Sequence, residues 1–316
     1  MCAEEQKGGF PAQKMQTKIY FYIFEVDIML KFKISAFADE FSSNIDEQID
    51  ALRQNGVKMI EVRNIGQKNA MELTPKAIGE VAKKIKASGL TVSSLGSQIG
   101  RLPITEDPKK HFDALKKACE NALTLETNRI RVFSFATPAG EHEKYKEEVI
   151  DRMGRMLDIA DNYGLKLCHE NESGIYGNTA EHCLDLFEVF GTRLGCVFDP
   201  CNFIYNDTIP FPNGYELLKK YITYVHVKDC VKATGIIVPA GRGNGGIPEF
   251  FATLNNTLSG EMILTVEPHL KAYSDLAPED LERYIQAGAA YPTYADKFEA
   301  AINYTRYCIP RTAECI

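Results

Sequence analysis

The stretch Phe32-Lys33-Ile34-Ser35-Ala36-Phe37-Ala38-Asp39-Glu40 decides between two folds. It opens as a half-apolar β-strand and turns into a polar segment without a single glycine. A dinucleotide-binding sheet normally makes that first turn with a glycine-rich phosphate loop, so its absence argues against a doubly wound fold. Working outward, short apolar or β-branched runs recur at 32–37, 58–62, 90–95, 129–134, 165–170, 194–199, 222–228 and 261–267. Amphipathic helical patterns separate them, the signature of βα units around a parallel sheet.

The punctuation agrees with this reading. Asn44 stands as an N-cap before a helix that puts Ile45, Ile49 and Leu52 on one face. Thr74-Pro75 starts a second, with Ile78, Val81, Ala82 and Ile85 facing inward. Gly56, Gly89 and Gly164 fall just past a helix and before a strand, where a left-handed C-cap is needed. Phe298, Ile302 and Tyr304 form the stripe of a closing helix. With no linker splitting the chain, the sequence predicts an α/β fold, a single-domain (β/α)8 TIM barrel over residues 31–316.

Residues 1–30 read as a poorly ordered N-terminal extension. Its apolar run Lys18–Phe24 is shorter than the ~20 residues of a membrane span and is followed by Glu25 and Asp27. Met29, just ahead of the first strand, is the expected working start. Apolar residues at 45% and charged residues at 25% of the 316 place the chain among folded, soluble proteins. A net charge of −7 with no basic stripe argues against a nucleic-acid partner. Nine scattered cysteines without C-x-x-C spacing suit reduced thiols in a cytoplasmic protein.

Barrel chemistry sits where strands end, and the last four strands end in ionisable groups. They read Leu167-Cys168-His169-Glu170-Asn171, Cys196-Val197-Phe198-Asp199-Pro200, Tyr224-Val225-His226-Val227-Lys228-Asp229 and Leu264-Thr265-Val266-Glu267-Pro268-His269. On neighbouring strands, Glu170, Asp199, His226 and Glu267 are placed to converge. Three carboxylates and an imidazole form a hard donor set suited to Mn²⁺ or Mg²⁺, with Co²⁺, Fe²⁺ or Zn²⁺ also accommodated. Three carboxylates sharing a cleft with no cation would suffer repulsion and desolvation.

These motifs, with Glu170-Asn171-Glu172-Ser173-Gly174, Asp199-Pro200-Cys201-Asn202 and Ser94-Leu95-Gly96-Ser97-Gln98, resemble the xylose isomerase-like TIM-barrel superfamily. The resemblance is to its sugar phosphate isomerase/epimerase group, whose relatives include tagatose and allulose epimerases and inosose dehydratase. It implies that Glu170, Asp199, His226 and Glu267 hold one divalent metal and that Glu170 and Glu267 also act as acid and base. It also implies a homo-oligomer. In the endonuclease IV relatives a metal-binding histidine follows the strand-six Asp by three residues, whereas this chain has Asn202, and strands two and three offer Glu61, Arg63, Ser93 and Ser94. A three-zinc nuclease centre is therefore not expected.

Lys228, Arg242, Arg63, Asn202 and His269 are candidate substrate contacts. Lys228 shares one strand face with His226 and either reaches substrate or pairs with a carboxylate. His269 faces the cleft or sits on the rim; Arg63 and Arg101 bind substrate oxygens or pair at the surface. Arg242 lies in the loop Pro239–Pro248, which is either an anion-binding loop or a flexible connection. His169 and Asn171 point away from Glu170's face, and His111, His142 and His182 carry no expected role. The expected activity is metal-dependent isomerisation or epimerisation of a carbohydrate through an enediolate. A lyase or dehydratase acting on a keto-cyclitol or keto-glycoside, and a non-catalytic sugar-binding barrel, are the alternatives.

Overall fold

The computed structural model describes residues 30–316. The expected extension and the start at Met29 lie outside these residues, apart from Leu30, which is buried in the core. Eight strands form the barrel: β1 Lys31–Ala36, β2 Met59–Val62, β3 Thr91–Gly96, β4 Arg129–Val132, β5 Lys166–Glu170, β6 Leu194–Phe198, β7 Ile222–Val227 and β8 Glu261–Val266. Each pairs in parallel with the next. The sheet closes through β1 and β8, in register from Lys31 opposite Glu261 to Ala36 opposite Val266. All eight lie within two residues of the runs read from the sequence. A closed sheet excludes the doubly wound alternative.

The helices are α1 Ile45–Gln54, α2 Pro75–Ala87, α3 Lys109–Thr124, α4 His142–Asp161, α5 Ala180–Phe190, α6 Pro200–Tyr205, α7 Tyr215–Leu218, α8 Ile247–Thr257, α9 Pro278–Gln286 and α10 Tyr294–Cys308. Local chemistry starts them as expected: Asn44 accepts a hydrogen bond from the Asp46 N–H and Thr74 from that of Ala77. Ile45, Ile49 and Leu52 are buried against the sheet, each worth about 1.5–3 kcal/mol over exposure. Gly56, Gly89 and Gly164 adopt φ of 64°, 79° and 67°, the left-handed geometry their positions demand. Near the amino end of the barrel, Glu314–Cys315 pairs with Lys31 and Phe32, while β2 pairs with β1 only at Ser35 and Ala36.

Strand alternation places the site. In β5, Leu167 packs outward, whereas Cys168 joins Met59, Val197, Tyr224 and Ile263 in a cluster filling the lower barrel. The next inward positions upward are Glu61, Glu170, Asp199 and His226, so a polar layer lies directly on this apolar plug. Among the described residues the eight cysteines are all free, and no helix is long and apolar enough to cross a membrane.

Candidate metal centre and active site

Glu170 ends β5, Asp199 follows β6, His226 lies in β7 and Glu267 follows β8. All four are buried, and one ligand atom from each lies within 4.8 Å of all the others. His226 Nδ1 is 2.9 Å from Glu170 Oε1 and 3.0 Å from Glu267 Oε1. Lys228 Nζ sits 2.7 Å from Glu267 Oε2 and 2.9 Å from Asp199 Oδ2, so of the two sequence readings the ion pair is present. Arg131 Nε approaches Glu170 Oε2 at 3.3 Å.

The electrostatics follow from this packing. Burial opposes ionisation of Glu170, yet His226 and Arg131 overcome it and hold the carboxyl down at about 2. Burial works against Glu267 too, but Lys228 and then His226 keep it well below the usual carboxylate range. For Asp199 burial wins: despite Lys228, neighbouring Glu267 and Glu170 help push it up to about 7. His226 is raised well above an ordinary histidine because Glu170 and Glu61 outweigh its burial.

The backbone reason for Asp199's aim is a helix cap. With Pro200 at the first turn of α6, Asp199 Oδ1 accepts the Asn202 N–H at 2.9 Å. Its Oδ2 is left without a hydrogen bond, approached only by the Lys228 charge. Asn171 locks the same residue from the side, donating to the Asp199 carbonyl and accepting its N–H, both at 2.9 Å. Asn202 itself is buried and donates to the Asn171 carbonyl at 3.0 Å and, more weakly, toward Glu170 Oε1 at 3.4 Å. His169 faces outward as its parity requires, bonding Ser134 Oγ at 2.9 Å. That hydroxyl also accepts the Gly177 N–H, and a Cβ at Gly177 would lie 2.4 Å from the His169 ring.

On the rim, Arg63 binds Asp39 at 2.8 Å and Glu40 at 3.0 Å, with its guanidinium 4.4 Å from the centre of the Phe37 ring. His269 Nδ1 lies 3.0 Å from the same Glu40 and 3.5 Å from Glu267 Oε2, which links this pair to the centre. Arg101 pairs with Glu172 and stacks over Phe133. Lys228, Asn202, His269 and Arg63 are thus tied to the centre or its rim. Arg242 is exposed and forms no ion pair among the described residues. Its loop is organised by Asp229, which accepts the N–H groups of Gly241, Gly243 and Gly245 at 2.9–3.0 Å. Those donors are turned to the protein's own carboxylate rather than to an external anion.

Reading the sequence missed Arg131, Asp229 and the part played by Glu61. Arg131 had a signal, a charged residue at an inward position of β4. It lies 4.4 Å from the Phe133 ring centre, with room made by Gly96, where a Cβ would stand 3.3 Å from Arg131 Nη2. Asp229 had none, because its partners are brought to it only by the folded loop.

The donor set fits a single divalent cation. Three carboxylates and one imidazole converge, and a buried carboxylate oxygen on Asp199 lacks a hydrogen bond. Among the described residues no other group of three or more such ligands converges, so a three-zinc cluster is not formed. A family model described as xylose isomerase-like TIM barrel matches residues 49–289. The chain belongs to this family. No curated protein matches it in sequence.

Solved structures resemble this xylose isomerase-like barrel at low identity. The probable 3-DHS dehydratase AsbF of Bacillus anthracis is 15% identical, with a TM-score of 0.66 over 86% of this chain and 97% of that one. The IOLI protein, solved with a bound zinc atom, is 18% identical with a TM-score of 0.65, covering 88% and 98%. The D-allulose 3-epimerase of Methylomonas sp. is 16% identical with a TM-score of 0.66, also covering 88% and 98%. At these identities the likeness is one of fold.

Proposed function

We propose that the protein is a divalent-metal-dependent isomerase or epimerase that moves a proton beside the carbonyl of a sugar or related polyhydroxy compound through an enediolate. The observation that carries this reading is the placement of Glu170 and Glu267 on His226 Nδ1, with Asp199 completing the four. Glu170, Asp199, His226 and Glu267 would hold the ion, Mn²⁺ being the best match among Mg²⁺, Co²⁺, Fe²⁺ and Zn²⁺ for this donor set. When bound, such an ion supplies Lewis acidity that polarises the substrate carbonyl.

The protein's residues do the rest. Glu170 and Glu267 are both held ionised at neutral pH, so either can take a proton from carbon. Return from the opposite carboxylate to the other face of the same carbon is epimerisation; return to the adjacent carbon is isomerisation. Lys228 keeps a proton 2.7 Å from Glu267 and Asn202 fixes the orientation of Asp199. Arg63 and His269 line the approach and would orient substrate hydroxyls, and the exposed Arg242 would contact substrate from its loop. The same reading has a homo-oligomer working in the cytoplasm on small-molecule carbohydrate, with neither nucleic acid nor membrane as partner; the net charge of −7 supports the exclusion of nucleic acid.

A dehydratase or lyase acting on a keto-cyclitol or keto-glycoside is the second reading. It is favoured by the Lys228 ammonium, placed beside Glu267 where it can protonate a departing hydroxyl. The fold likeness to a probable 3-DHS dehydratase supports it too.

The test is metal analysis of the purified protein, then deuterium incorporation from D₂O into ketoses, ketose phosphates and keto-inositols. Wild type, Glu170→Gln and Glu267→Gln are compared. Stoichiometric metal with exchange lost in both variants supports the isomerase or epimerase. Exchange accompanied by loss of water selects the dehydratase. Metal without exchange points to a sugar-binding barrel, and failure to bind metal overturns the reading altogether.

A further inference from the structure

Glu61 is a buried carboxylate on β2 that the proton chemistry above does not use. It reaches into the barrel interior and meets three groups from β7 and β8. The Tyr224 hydroxyl donates to its Oε1 at 3.1 Å and the Thr265 hydroxyl to its Oε2 at 2.9 Å. Oε2 also lies 3.2 Å from His226 Nε2, on the side of the imidazole opposite Glu170 and Glu267. The ring is packed edge-on against Phe37 and Tyr224, with centroids 5.2 and 5.4 Å apart.

We infer that Glu61 is a positioning residue that claims the Nε2–H of His226, which commits Nδ1 to the metal and fixes the plane of the ring. A carboxylate can only accept, and two hydroxyl donors already aim it, so the sole role left for Nε2 is donor. An imidazole with its proton on Nε2 presents the Nδ1 lone pair, and a carboxylate behind a ligating histidine also raises its basicity. The carboxylate arrives from β2, separated from β7 by β1 and β8 in the closed sheet, so this arrangement is not a by-product of neighbouring strand ends. The inference rests on the metal reading above.

The experiment uses the full-length chain with Zn²⁺ as a diamagnetic probe, comparing wild type, Glu61→Gln, Glu61→Leu and Tyr224→Phe. Zn²⁺ affinity is measured by competition with a chromogenic chelator. Nitrogen-15 NMR of the histidine rings reports the tautomer of His226, and thermal melts verify folding. Glu61→Leu is expected to weaken Zn²⁺ binding 10–100-fold and to lose the exchange-protected Nε2–H resonance. Glu61→Gln, whose amide oxygen still accepts, should stay within about tenfold of wild type and keep the Nε2–H tautomer. Tyr224→Phe, with Glu61 intact but less firmly held, should fall only several-fold, and it carries the test if Glu61→Leu does not fold. Equal affinity and an unchanged tautomer in Glu61→Leu overturn the inference, as does a Gln variant that fails as badly as Leu. If Glu61→Leu does not fold, an unaltered Zn²⁺ affinity in Tyr224→Phe overturns it. A wild type that binds no Zn²⁺ overturns the metal reading itself and this inference with it, an outcome distinguishable because it precedes any substitution.

Discussion

Lys228 Nζ lies 2.9 Å from Asp199 Oδ2, a buried oxygen of the centre that accepts no hydrogen bond. The ammonium and an incoming cation therefore compete for one charge. At an effective dielectric near 20, like charges about 4 Å apart repel by roughly 4 kcal/mol per unit charge. Lys228→Met should tighten Mn²⁺ binding at least about tenfold while lowering turnover by about 10²-fold, the usual effect of losing an acid–base group. Calorimetric titration beside steady-state kinetics checks both, and weaker Mn²⁺ binding in the variant would contradict the competition.

Metal loading should also be visible in stability. Ligands drawn from four strands at one point of the folded chain cannot be assembled in the unfolded one, so binding favours the native state. Mn²⁺ at a hundredfold excess over its Kd should add about 2.7 kcal/mol, a rise of several degrees in Tm. Asp199→Asn should abolish that rise. A melt insensitive to Mn²⁺ in the wild type would count against the four-ligand centre.

Asp229 holds the loop after β7 through the N–H groups of Gly241, Gly243 and Gly245. Asp229→Asn replaces an acceptor oxygen with a donor that faces an N–H, and should cost about 3 kcal/mol in urea unfolding. Gly243→Ala attacks the same contact from the other side, because its Cβ would stand 2.3 Å from Asp229 Oδ1 and 2.5 Å from the Cys230 carbonyl. Wild-type stability in both variants would show that the loop is held by something else.

His111 supplies a pH dependence away from the centre. Its Nε2 accepts the Gly100 N–H at 2.5 Å, which requires a neutral ring. Burial, reinforced by Arg152, pushes it down to about 4 from an ordinary 6.5. The unfolded chain thus binds this proton more tightly than the native state. The contribution to stability is complete above about pH 6.5 and drains away as pH falls toward 4. Tm should drop across that window, and His111→Gln, which can still accept the Gly100 N–H, should flatten the drop. An equal slope in the variant would assign the acid sensitivity to other groups.

Much of this architecture was legible because the relevant signals are local. Asn44 and Thr74 cap helices through bonds to N–H groups two and three residues on, and the left-handed Gly56, Gly89 and Gly164 each need only their own backbone. The four candidate ligands were legible too, since the end of a barrel strand points at the cleft wherever the strand lies. The Asp229 carboxylate inside the glycine loop was not, and without it the loop stayed open between an anion-binding role and a flexible connection. Nor did the sequence choose between Lys228 as a substrate contact and Lys228 as an ion-pair partner, because its distance to Asp199 depends on two strands meeting.

By itself, then, the sequence determined the period of eight strand–helix units and the residues at their ends, since side-chain parity and capping operate over a few residues. Only the tertiary structure decided which oxygen of Asp199 caps α6 and which meets Lys228. It also decided that Glu61, brought round by the closure of β1 on β8, stands behind His226. Closing the sheet brings residues 165 positions apart within hydrogen-bonding distance, and no local propensity encodes a contact whose partners meet only when the last strand pairs with the first.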